Sequence, residues 1–226
     1  NLVNRNGDLW FFLTNEERDV SQEIKSVEVS SAELSRLVAE LVFEEILSGQ
    51  NKVRHRDTKS DYEFNRLLDG APYRQASHDL TLEVLTPVGS DFELMGDAKC
   101  LGRSVEGPGR AILRLASEGR VDLELRTYLQ IEKYIGPKND LATPALKRIL
   151  MDRKEENRER RARLLVQLAS MMTSGTVFAL GQQPQVRAAT PSALVDELLN
   201  YLVTNTYSKL GYIKVRAPDP LAEIRA

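Results

Sequence analysis

From Ala145 to Met172 the sequence contains neither Gly nor Pro, and both ends of this run are apolar while its middle is charged. A run of that length predicts a single helix of roughly 40 Å at the α-helical rise. Leu146, Ile149 and Leu150 at one end, and Leu164, Leu165, Leu168 and Met171 at the other, recur at helical spacing. Between them, residues 152–163 hold six basic and four acidic side chains. An unpaired charge carried into a core costs several kcal/mol. The expectation is therefore a helix whose exposed central stretch joins two packed ends. Glu156 with Arg160 and Glu159 with Arg163 are i,i+4 pairs in the favourable order, each contributing about 0.2–0.5 kcal/mol. The simplest reading is a solvated face. The sharper one has Arg153, Arg160 and Arg161 projecting together toward a partner or a phosphate backbone.

Punctuation elsewhere is equally informative. Leu9-Trp10-Phe11-Phe12-Leu13 is an apolar run suited to a strand covered on both faces. Thr14 with Glu17, and Ser30 with Glu33, are capping boxes that open two helices. Val20, Ile24 and Val27 face inward on the first, and Leu34, Leu37, Val38, Leu41 and Val42 on the second, which Gly49 stops. Residues 51–57 read as a polar loop. Tyr62–Leu68 alternates into the turn signal Asp69-Gly70, and Leu80, Leu82 and Val84 alternate with Thr81 and Glu83. Phe92–Met95 and Ala111–Leu115 are two further short strand candidates. A helical period returns from Val121 to Ile135-Gly136-Pro137, Val177–Leu180 reads as a strand, and Thr190-Pro191 opens a last helix ending at Gly211. The predicted fold is α+β: a small, mainly antiparallel sheet packed with several helices, one long and charged. Three subregions are expected: an acidic strand-helix-helix at 1–50, a β-rich part at 51–136, and a helical part at 137–226. The predicted core joins Trp10, Leu37, Leu41, Leu82, Val84, Leu168 and Leu199.

Charge supports some division of labour. Residues 1–50 carry four basic and ten acidic side chains, whereas the whole chain of 226 residues has a formal net charge of −2. No global basic excess points to nucleic acid or a lipid surface. One cysteine, Cys100, allows no intrachain disulfide and fits a reducing, cytoplasmic setting. No apolar run reaches the ~18 residues of a membrane span. The first residues are not those of a signal peptide, and the lack of an initial Met leads to the expectation of a segment cut from a longer chain.

Three constellations invite chemistry. Gly96–Ser104 resembles a phosphate loop, but five residues separate its glycines, Arg103 stands where the lysine belongs, and Gly107-Pro108-Gly109 argues against the required helix. It reads as a glycine-rich connection between strands. Ser77-His78-Asp79 holds triad residue types, yet neighbours in sequence cannot converge as nucleophile, base and orienter. A polar turn is the better account. His55, His78 and Cys100 show no metal-ligand spacing. A second basic cluster comprises Lys52, Arg54, His55, Arg56 and Lys59, without the interleaved aromatics of a single-strand platform. No catalytic, cofactor or metal residue is assigned. The candidate docking residues are Arg153, Arg160, Arg161, Lys52, Arg54 and Arg56.

Several stretches resemble the BrxC/PglY family of large P-loop ATPases of bacterial BREX phage-exclusion systems. They are Phe11–Val20, Asp69-Gly70-Ala71-Pro72-Tyr73, Leu82–Pro87, Tyr128–Ile135, the charged run at 152–163 and Tyr207–Ile213. The resemblance implies an interior segment of an antiviral defence ATPase, with its nucleotide motifs elsewhere in the parent. ATP and Mg are thus implied for the parent and not for this segment. It also implies other BREX proteins as partners, with self-association through the parent. The function expected is a non-catalytic interaction and scaffolding module. The alternative is a DNA-binding domain using the Arg-rich helix and the basic loop, and a stand-alone enzyme is the third hypothesis. Titration of this segment with ATP in a calorimeter should give no saturable heat, and a binding isotherm would overturn the reading of Gly96–Ser104.

Overall fold

The computed structural model describes residues 3–6, 9–12, 14–74, 77–107, 109–117, 119–138 and 143–206. Its first two strands, β1 (Val3–Asn6) and β2 (Leu9–Phe12), pair with each other as an antiparallel ribbon, Val3 opposite Phe12. The strand expected around Trp10 is therefore present, while Leu13 and the side chain of Trp10 lie outside what is described. Helix α1 (Asn15–Ser26) follows, then α2 (Ser31–Glu40), which continues as one π-helical stretch, Leu41–Ile46. Both capping boxes form. Thr14 Oγ1 accepts from Glu17 N at 3.2 Å while Thr14 N donates to Glu17 Oε2 at 2.7 Å. Ser30 and Glu33 repeat the arrangement at 3.3 and 2.8 Å. Each box satisfies two amides that a bare helix end would leave orphaned.

The main sheet has six strands: β3 (Lys52–Arg54), β4 (Asp61–Leu68), β5 (Ala71–Tyr73), β6 (Leu80–Leu85), β7 (Arg110–Arg114) and β8 (Thr176–Ala179). Their order is β3-β4-β6-β7-β8, with β5 also paired to β4. The β4–β6 and β6–β7 pairs are parallel; the others are antiparallel. The α+β class is thus observed, but the sheet is mixed and not mainly antiparallel. The reason lies in the connections. After the tight Asp69-Gly70 turn, both residues at positive φ, the chain must travel back to begin β6. Residues 86–109 then cross over to β7 and carry helix α3 (Asp97–Arg103). Parallel neighbours require such crossovers.

Three local readings change here. Phe92–Met95 forms turns in place of a strand, with Phe92 buried beside Cys100. The polar loop at 51–57 contributes β3. Gly96–Ser104 is no plain connection, since Asp97 in the first turn and Arg103 in the last complement the dipole of α3.

Helix α4 (Val121–Lys138) keeps Pro137 in its final turn, and α5 runs from Pro144 to Thr173 with Thr143 as its cap. The last described helix, α6 (Pro191–Thr206), opens at Thr190; its expected end at Gly211 lies outside the described residues. One sheet face presents Phe64, Leu68, Leu82, Val84, Ala111 and Leu113 to α2, the π-helical stretch, α6 and the C-terminal half of α5. That core gathers Leu37, Leu41, Leu82, Val84, Leu168 and Leu199, as expected, and burying each such side chain contributes about 1.5–3 kcal/mol. The opposite face, with Leu85, Ile112 and Phe178, is covered by Phe92 and by Cys100 of α3. A third, separate core holds Val20, Ile24, Ile131, Tyr134, Ile149 and Leu150.

The second capping box also ties helices together, because Lys133 Nζ lies 2.7 Å from Glu33 Oε1. Lys133 first, then the amide and hydroxyl of Ser30, hold the Glu33 carboxyl down from 4.5 to about 2. A depressed native pKa stabilises above the unfolded value and is lost as pH falls through the native one. Between about pH 4.5 and 2, unfolding should become easier, and Glu33→Gln should flatten that part of a pH-dependent denaturation series.

Candidate functional site

The charged middle of α5 resolves into two faces. Residues 146, 149, 150, 153, 157, 160, 161, 164, 165 and 168 form one continuous helical stripe, and it points inward along its whole length. At its ends the stripe is apolar: Ile149 and Leu150 enter the core shared with α1, Leu164 and Leu168 the main core. Its middle is polar and packed against α4. Arg153 is only 7% exposed and Asn157 0%. Arg153 donates to Glu156 at 2.7 Å and to Ser21 Oγ of α1 at 3.2 Å. Asn157 donates to Tyr128 O at 3.2 Å and Glu132 Oε1 at 2.8 Å. Arg160 donates to Glu124 at 3.0 Å and to Asn157 Oδ1 at 3.2 Å. Arg161 pairs with Glu45 of the π-helical stretch. Of the three arginines expected to project together from an exposed stretch, Arg153 and Arg160 therefore face inward, and Arg161, its side chain 36% exposed, is tied to Glu45 at the edge of the fold. The sequence reading allowed a buried charge no partner, yet acids on α4, the π-helical stretch and α5 itself supply one for each.

The outward face carries different residues. Met151 is 71% and Val166 72% exposed. Between them the Arg158 side chain is 80% exposed and reaches Glu155 at 3.6 Å. Arg163 stands 3.9 Å from Glu159, and Lys154 is exposed beside them. Exposed pairs of this kind contribute at most ~1 kcal/mol.

The second basic cluster is pinned to α6. Asn200 Oδ1 accepts from Arg56 N at 3.0 Å, and its amide donates to Arg54 O at 3.3 Å. His55 is buried between Thr58 and Thr204, 3.0 Å from each hydroxyl. The charged ends of Lys52, Arg54 and Arg56 stay in solvent, with Asp61 at 4.0 Å from Lys52 and 3.3 Å from Arg54, and Glu197 against Arg56. Arg153 and Arg160 of α5 point into the fold and do not join this cluster.

One charged group escaped the sequence reading. Glu83, on β6, appears in an alternating pattern as a solvent-facing position, yet it is 0% exposed. Strand β6 runs between two parallel neighbours with both faces covered, so alternation there separates two buried faces. Arg103 of α3 donates from Nε at 2.9 Å and places Nη2 at 2.7 Å; Arg110 of β7 donates at 3.3 Å. Asp69 completes the cluster, accepting from Thr86 N at 2.6 Å and Thr86 Oγ1 at 2.7 Å. Burial chiefly, with Glu83 adding to it, pushes the Asp69 carboxyl above its ordinary value. Two acids and two arginines balance, and the arrangement locks α3 onto the sheet. The Ser77-His78-Asp79 turn is organised by Asn65, whose Oδ1 accepts from Ser77 N and His78 N at 2.9 Å each. Among the described residues no group of His, Cys, Asp and Glu is arranged to hold a metal ion, and no helix is long and apolar enough to cross a membrane.

Residues 27–202 match the family described as the BREX ATP-binding protein BrxC 4th domain with six-stranded beta sheet. The chain belongs to that family, and strands β3 to β8 are the six that the description calls for. No solved structure matches it.

Burial separates the arginines energetically. Arg153→Gln should lower the unfolding free energy by about 1–3 kcal/mol, because Glu156 and Ser21 lose a charged donor in a partly desolvated seam. Arg158→Gln should change it by no more than about 0.5 kcal/mol. Paired denaturant titrations with equal slopes check both.

Proposed function

We propose that this domain is a non-catalytic interaction module of a cytoplasmic BREX-type defence ATPase, docking other BREX proteins through the outward face of α5. The parent chain supplies the ATP and magnesium chemistry. The observation that carries this reading is the outward row Met151, Arg158 and Val166, flanked by the exposed Lys154 on one side and Arg163 on the other. Two large apolar side chains stand in water at either end of a mixed-charge helix face. Exposed Leu, Met and Val are ordinary when scattered. Here Met151 and Val166 share one side of a rigid helix with the rotatable Arg158 between them, the composition of a wet protein interface with apolar anchors. The family supports the setting, since it is the fourth domain of an ATP-binding BREX protein.

The test is a surface triple variant, Met151→Glu, Arg158→Glu and Val166→Glu. Thermal unfolding should be nearly unchanged, because none of the three packs inward. In the full-length protein the same change should reduce co-purification with other BREX components and lower phage resistance. A variant that folds and protects cells normally overturns the docking face. Duplex DNA binding that weakens steeply with salt, and disappears in Lys52→Gln/Arg54→Gln/Arg56→Gln, would replace this reading with a nucleic-acid one.

A further inference from the structure

Helix α1 sits apart from the rest of the chain in three respects. It precedes the family's matched range, which begins at Val27, the residue that caps the end of α1. Its buried residues, Val20 and Ile24, do not join the main core; they form a separate core with Ile131, Tyr134, Ile149 and Leu150 at the far ends of α4 and α5. Between that outer core and the main one lies the polar seam of Arg153, Glu156, Asn157 and Arg160. Apolar packing is therefore interrupted where the helical hairpin passes from one core to the other.

Contacts across the α1 interface are of a kind that opens at modest cost. Tyr134 Oη donates to Glu23 at 2.8 Å, Lys138 pairs with the same carboxylate, and Arg153 donates to Ser21. Glu17, whose carboxyl is lowered chiefly by its bond to the Thr14 backbone, also feels Arg153 and Arg148 of α5. The acidic side of α1 thus meets a basic tip formed by Lys138, Arg148 and Arg153. The carbonyls of Val27, Glu28 and Val29 in the linker accept from side chains of α4. Arg126 donates to Val29 O at 2.9 Å, Gln130 to Val27 O at 3.0 Å, and Lys133 to Glu28 O at 2.8 Å.

We propose that α1 is a detachable strap of this chain, covering the apolar tip of the α4–α5 hairpin, and that it opens as a unit while the sheet and its core stay folded. The polar seam is the boundary: Arg153 gives up Ser21 when the strap leaves and keeps Glu156, whereas the Asn157 and Arg160 bonds to Tyr128, Glu132 and Glu124 hold α4 to α5 whether or not the strap is in place, so loss of the outer core stops there. Small cores with few buried side chains and long-range links through exposed charges open before the rest of a domain. The charge match makes the closed state sensitive to salt, because partly exposed ion pairs are screened at high ionic strength. The device lets whatever is joined before α1 engage or release the domain without unfolding it.

Hydrogen exchange followed by mass spectrometry on the whole chain tests this. Amides of 15–26 should exchange at least about tenfold faster than those of β6, β7 and α6, as expected for a separately opening unit. Raising salt from about 0.05 to 0.5 M should speed exchange of 15–26 several-fold with β6 and β7 unchanged, following the shorter screening length. Ile24→Asp, which places a charge in the outer core, should speed exchange in 131–138 and 146–150 as well as in α1, again leaving β6, β7 and α6 within about twofold as internal controls. Lys138→Met, removing one partner of Glu23, should speed exchange of 15–26 without touching the controls. Exchange of α1 at the rate of the main core, or an Ile24→Asp variant that loosens β6 and β7 by the same factor as α1, overturns the strap.

Discussion

Everything around the long helix depends on one condition: the inward stripe of α5 must remain inward across a stretch that has no apolar residues to bury. Leu164, Leu168, Met171 and Met172 anchor the stripe in the main core, and Ile149 and Leu150 anchor it in the outer one. A rigid helix then carries Arg153, Asn157 and Arg160 into the interface with α4, whether or not they suit it. Burial of these groups is tolerable because each meets an acid, a carbonyl or a hydroxyl at hydrogen-bond distance. Arg161 extends the same logic to Glu45, linking α5 to the π-helical stretch that carries Leu41, Val42 and Phe43 into the core.

That π-helical stretch has a similar role on the sheet side. It presents Glu44 to Arg66, buried on β4, and to Arg74, at 3.3 and 3.1 Å. Arg66 lies over both Phe43 and Tyr73, whose rings stack with centroids 5.2 Å apart. Adjacent carboxylates, Glu44 and Glu45, thereby reach different layers, one clamping the β4–β5 hairpin and the other α5. Successive residues of a helix point to different sides, which is how two sequence neighbours come to serve two partners. On the opposite sheet face, the Glu83 cluster does for α3 what Glu44 does for the hairpin. Stability in this domain thus rests on apolar layers joined by a few buried, paired charges.

The division between inner and outer faces of α5 decides which of its charges are available to a partner under the docking proposal. Charge density alone marked residues 152–163 as a surface, and half of that inference holds: Lys154, Arg158 and Arg163 are in water. The arginines singled out, Arg153, Arg160 and Arg161, are the ones the fold uses for itself. A binding face built from the outer row can change its partner without disturbing the seam. A face built from the inner row could not.

Sequence by itself determined the local elements and the main core. Thr14 and Ser30 each bring an acid three residues on, Pro144 and Pro191 sit at first helical positions, and the backbone of Asp69-Gly70 turns the chain; all of these act within a few residues. Leu37, Leu41, Leu82, Val84, Leu168 and Leu199 were legible as core because periodicity reports burial wherever one face is apolar and the other polar. Family resemblance was legible as well, in stretches that carry no catalytic group. What only the tertiary structure decided was strand direction, since parallel pairing of β6 with β4 and β7 is chosen by crossovers and not by the strands themselves. It also decided the fate of each charge. Glu83 and Arg153 look solvent-bound in sequence because the code for a buried charge is written in its partners, and those partners, Arg103 and Arg110 for the one, Ser21 for the other, come from distant parts of the chain.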